Sequence, residues 1–119
     1  MSAEILSIDG EILTARITGM LAQPELAALQ QSAAGIIRQQ GHVRILIIVE
    51  DFQGWQKGGD WDDVSFMEND PYIEKMAIVG EKEWEELALI FTAQTMRKFP
   101  IEYFQPADLA QARDWLMAE

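Results

Sequence analysis

The segment Arg44-Ile45-Leu46-Ile47-Ile48-Val49-Glu50 decides the fold. Its aliphatic run is unbroken and rich in β-branched side chains. That is the pattern of a strand with both faces covered, not of a strand with one face in water. Just upstream, Leu26, Leu29, Ala33, Ile36 and Ile37 recur at three- and four-residue spacing, which predicts an amphipathic helix. Pro24 stands at its start, where a missing N–H is harmless, and Gly41 stands where a left-handed cap would end it. A helix leading into a doubly covered strand is the signature of a parallel α/β sheet.

Working outward, Ile5 to Ile8 and Glu11 to Thr18 read as two strands of a hairpin turning at Asp9-Gly10. In the second strand Ile12, Thr14, Arg16 and Thr18 alternate with Leu13, Ala15 and Ile17, so the first set is expected on the more exposed face. Downstream, Asp51 to Gly59 reads as irregular, with Gly54, Gly58 and Gly59 as breakers. A short helix over Asp60 to Met67, a strand over Lys75 to Val79 and a long helix over Glu83 to Met96 follow. A strand over Ile101 to Phe104 and a helix beginning at Pro106 close the chain, with Leu109, Ala112, Trp115 and Leu116 facing inward. The expected order is ββαβαβαβα: one α/β domain over residues 1–119, with a mixed, mostly parallel five-stranded sheet and about four helices.

Composition narrows the function classes. The chain has 119 residues, 49% of them hydrophobic, enough for one packed core. Its 9 Lys and Arg against 20 Asp and Glu give a net charge of −11. That field repels phosphate backbones and anionic lipid heads, so neither nucleic acid nor an acidic membrane surface is an expected partner. With 0 Cys, disulfides, thiolate metal sites and cysteine nucleophiles are excluded. No apolar run approaches the ~20 residues of a transmembrane helix. Met1-Ser2-Ala3-Glu4 lacks the pattern of a secretion signal, so a cytoplasmic location is expected.

Sites for catalysis are poorly represented. Gly54 and Gly59 have the spacing of a phosphate-binding loop, but Asp60-Trp61 occupies the place of its Lys-Ser/Thr. Asp60, Asp62, Asp63, Glu68 and Asp70 depart from calcium-loop spacing, with Ser65 where glycine is required, and read as helix capping and surface charge. His42, the 1 histidine, reads as a turn residue without metal-binding company. No Ser sits in a nucleophile elbow. The expectation is a non-enzyme without cofactor or metal.

The aromatic residues are more distinctive. Phe52, Trp55, Trp61, Phe66 and Tyr72 crowd the segment after the central strand, and Trp84 and Phe91 follow on the inner face of the long helix. Plain core packing of the whole set is the first expectation, for Trp84 and Phe91 above all. The alternative is a mobile flap over an apolar pocket, with Trp55 and Trp61 as its gate and Phe52, Phe66, Trp84, Leu87 and Phe91 as its lining.

Met76-Ala77-Ile78-Val79-Gly80, then Trp84, Ile101-Glu102-Tyr103-Phe104, Ala112 and Trp115-Leu116 resemble the C-terminal signature of SpoIIAA-like proteins. Ile45 to Glu50, Phe52-Gln53-Gly54-Trp55 and Trp61 to Phe66 extend the resemblance over essentially the whole chain. It implies a STAS-like fold, likened also to the lipid-binding CRAL-TRIO domain. Anti-sigma-factor antagonists of this type carry a phosphorylatable serine after the central strand. Asp51-Phe52-Gln53-Gly54-Trp55 stands there instead, so that switch does not carry over, and Tyr103 occupies a position where the signature commonly has arginine. The expected function is a non-catalytic carrier or sensor of an apolar or lipid-like molecule. The alternative is a STAS-type interaction module, with a protein partner or a second copy of itself, lacking the phosphoserine switch.

Overall fold

The computed structural model describes residues 3–55, 71–86 and 99–118. Strands β1 (Ala3–Asp9) and β2 (Ile12–Leu21) form a hairpin, and helix α1 (Gln23–Gln40) leads to the long central strand β3 (Val43–Trp55). Strands β4 (Ile73–Val79) and β5 (Ile101–Phe104) follow, and helix α2 (Leu109–Met117) comes last. The strands lie in sequential order in one sheet. The sheet is mixed: β1 runs antiparallel to β2, while β2, β3, β4 and β5 run parallel to one another.

Four details differ from the sequence expectation. The hairpin loop is Gly10-Glu11, because Asp9 still pairs with Ile12; Gly10 supplies the positive φ, at 62°. Thr14 is buried at 3% exposure, on a strand flanked by β1 and β3, while Arg16 pairs with Glu4 of β1. Among the described residues there are two α-helices, not about four. The expected helix at Asp60 to Met67 lies outside the described residues. Of the one expected over Glu83 to Met96 only the start is described, and it opens with a tight 3-10 turn, Lys82–Trp84. The last helix is likewise preceded by a 3-10 turn, Pro106–Asp108.

The fourth difference bears on function. Asp51 to Trp55, expected to be irregular, is the final part of β3. Beyond Thr18 the β2–β3 register shifts and then resumes with Met20 opposite Gly54 and Leu21 opposite Trp55. Gly19, Asp51 and Gly54 absorb this shift with φ values of 63°, 49° and 105°. Gly54 is therefore a paired residue of the strand, at the end of a bulge formed by Asp51 to Gln53. Asp51 tolerates the left-handed region better than most side chains do.

Alternation along the strands sorts the core into two layers. Ile45, Met76, Ile78 and Ile101 pack on one side with Ile37 of α1. Leu46, Ala77 and Val79 pack on the other against Ala112 and Leu116 of α2, with Phe104, Leu109 and Trp115 at the margin. The inward set expected on the last helix is thus the set in contact with the sheet. Gly41 ends α1 at φ 86°, and its N–H donates to the Ile37 carbonyl at 2.8 Å.

The C-terminal end of α2 is held by cations from the sheet. Lys75 Nζ donates to the carbonyls of Trp115 and Ala118 at 2.8 and 2.7 Å and lies 4.9 Å from the centre of the Trp115 ring. Arg44 Nη1 donates to the carbonyls of Leu116 and Ala118. These bonds satisfy carbonyls that a helix end leaves orphaned, with charge of the favourable sign. Lys75→Met keeps the apolar stem and removes the donor. It is expected to destabilise the fold by roughly 1–2 kcal/mol in urea denaturation, discounted for partial exposure.

Candidate functional site

The carboxyl ends of β3 and β4 bring together two of the aromatic residues singled out above. The bulge carries Phe52 into a cluster with Ile17, Leu21, Leu26, Leu29, Ile47 and Val49. Trp84 arrives from the turn after β4. The two rings meet edge to face, with centroids 4.8 Å apart and planes at 81°. Gly54 adjoins Trp84: a Cβ there would be 3.9 Å from Cη2 of that ring.

The turn that presents Trp84 is fixed by its neighbours. Trp84 N–H donates to the Glu81 carbonyl at 3.1 Å, and the Tyr103 hydroxyl donates to the same carbonyl at 2.7 Å. Gly80 N–H donates to the Phe104 carbonyl at 2.9 Å, anchoring the exit of β4 to β5. Burial, with Glu85 and Glu81 adding negative charge, pushes the Tyr103 phenol up to about 12, so it remains a donor throughout the physiological range. The surroundings are acidic: Glu50, Asp51, Glu81 and Glu83 are all exposed.

Of the other expected site residues, Trp55 closes β3 opposite Leu21. Trp61, Phe66, Leu87 and Phe91 lie outside the described residues. Tyr72, by contrast, is exposed just before β4, at the other end of that strand.

That opposite end carries a group the sequence reading missed. Glu11 in the hairpin loop, His42 before β3 and Glu74 in β4 are exposed, and their ligating atoms lie within 4.8 Å of one another. His42 Nε2 is 2.6 Å from Glu11 Oε1, and Arg44 Nε donates to Glu74 Oε1 at 3.1 Å. The hydrogen bond that the ring donates to the Glu11 carboxylate, then the charge of that carboxylate, raises the His42 pKa above 6.5; desolvation and Arg44 oppose this, while Glu74 adds to it. A folded-state value above the unfolded one means that His42 stabilises the fold fully below pH 6.5. That contribution is lost as pH rises through the folded-state value. In an NMR titration the ring of His42 is expected to have its midpoint above 6.5, and Glu11→Gln is expected to return it toward 6.5.

The SpoIIAA-like family model matches residues 12–117, which span every described element from β2 to α2. The chain belongs to the SpoIIAA-like family. An uncharacterised protein of Shewanella loihica PV-4 with a SpoIIAA-like fold superposes with a TM-score of 0.73. The alignment covers 97% of this chain and 93% of that one at 20% identity, a likeness of fold. No protein with a curated description is significantly similar to this chain. The resemblance carried by Met76 to Gly80, Trp84 and Trp115-Leu116 is thus a family relationship. Among the described residues of this SpoIIAA-like chain, no helix is long and apolar enough to cross a membrane.

Proposed function

We propose that this SpoIIAA-like protein is a non-catalytic binding protein for an apolar or lipid-like small molecule, held at the carboxyl ends of β3 and β4. The observation that carries this reading is the edge-to-face pair of Phe52 and Trp84, continuous with an apolar cluster and adjoining Gly54. Open α/β sheets bind ligands outside the carboxyl ends of their strands, and such sites are mostly apolar with a few polar groups. The exposed carboxylates of Glu50, Asp51, Glu81 and Glu83 favour a ligand whose polar end is neutral or cationic. Trp55, Trp61, Phe66, Leu87 and Phe91 are the further residues this reading assigns to the site, in a protein of the cytoplasm.

Titration with a neutral apolar fluorophore, N-phenyl-1-naphthylamine, tests the reading. Phe52→Ala and Trp84→Ala are each expected to weaken binding about tenfold or more, ~1.4 kcal/mol. Leu6→Ala, on the exposed β1, is expected to leave it unchanged. Equal binding by all variants would overturn the pocket. Loss of a co-purifying protein in the Phe52 and Trp84 variants, with no fluorophore bound by any form, would establish the interaction module instead.

A further inference from the structure

We propose that Glu11, His42 and Glu74 bind a divalent transition-metal ion of the Zn2+ class, at the end of the sheet remote from the aromatic pair. An imidazole and two carboxylates are ligands of the right kind, and three protein ligands leave a position for water. Around an ion with bonds of ~2.1 Å the ligating atoms stand about 3.4 Å apart; His42 Nε2 and Glu11 Oε1, now hydrogen-bonded at 2.6 Å, would open to admit it, while the wider separations in the trio, none above 4.8 Å, would close. All three side chains are exposed, so this adjustment involves rotamers and not the core.

The trio is assembled by the sheet. Glu11 immediately precedes β2, and its carbonyl accepts from Arg44 N–H at 2.8 Å, tying the loop to β3. His42 immediately precedes β3. Val43 pairs with Ile73 and Arg44 pairs with Lys75, which leaves Glu74 as the extra residue of a bulge in β4. Bulges re-aim side chains and are over-represented beside functional sites. Arg44, held by the carbonyls at the end of α2, donates through Nε to Oε1 of Glu74 and orients that carboxylate, as partners of metal ligands commonly do. Its positive charge is outweighed by the two carboxylates, leaving an anionic site on a chain of net charge −11.

Calorimetric titration of Zn2+ into the full chain tests the proposal, with folding of each variant checked by circular dichroism. The expected result is one Zn2+ per chain, with affinity reduced more than about tenfold in His42→Ala and in Glu74→Gln. Glu102→Gln, an exposed carboxylate on β5, is expected to bind as the parent does. Co2+ is expected to broaden NMR signals of Gly10, Gly41 and Ile73 selectively. Absence of a stoichiometric site, or binding that His42→Ala and Glu74→Gln leave unaltered, would overturn the assignment.

Discussion

Leu46→Ala is expected to lower the unfolding free energy by about 2–5 kcal/mol. Leu46, near the start of β3, is fully buried and packs toward Ala77, Val79, Ala112 and Leu116. Two of those neighbours are alanines, which lack the reach to fill the space a shortened residue leaves. The lost transfer energy therefore adds to a cavity term that collapse can relieve only in part. Leu6→Ala, on an exposed site of β1, is expected to change stability by less than ~0.5 kcal/mol. Urea denaturation of both variants checks the pair. A Leu46→Ala loss as small as that at Leu6 would mean that β3 is not the centre of the two-layered core.

Gly80→Ala is expected to cost about 1–3 kcal/mol and to weaken ligand binding as well. The added Cβ would lie 2.5 Å from the Tyr103 hydroxyl oxygen and 3.3 Å from Cβ of Val49. The Val49 contact is close to its backbone, and the Tyr103 ring is rigid, so relief requires moving the phenol off the Glu81 carbonyl. That hydrogen bond helps to fix the turn presenting Trp84 to Phe52. The same substitution in a Tyr103→Phe background is expected to cost at least ~1 kcal/mol less, since the clashing oxygen is gone. Equal costs in the two backgrounds would show that Tyr103 does not confine Gly80.

The two layers were legible because local pattern and tertiary demand agree in them. Ile45 to Val49 needed cover on both faces and has it, and the periodic residues of α1 and α2 supply part of it. Disagreement begins where pairing overrides local signals. By local signals Gly54 is a breaker, yet the extension of β2 to Leu21 provides a partner ladder that keeps Asp51 to Trp55 in the sheet. The pairing of Phe52 with Trp84 was visible only as a shared tendency toward one region; its edge-to-face geometry depends on the bulge. Glu11 and His42 are 31 positions apart in the chain, and Glu74 belongs to another strand. Around His42 itself there is no cysteine or second histidine, and no local signal announces carboxylates delivered by neighbouring strands.

The proposed apolar site is tested most directly by native mass spectrometry of the full chain purified from cells, compared with the same sample under denaturing conditions. The account predicts a bound species of lipid-like mass that is released on denaturation, and a Trp84→Ala form that retains none of it. A parent chain that emerges bare and also binds no neutral apolar probe would contradict it.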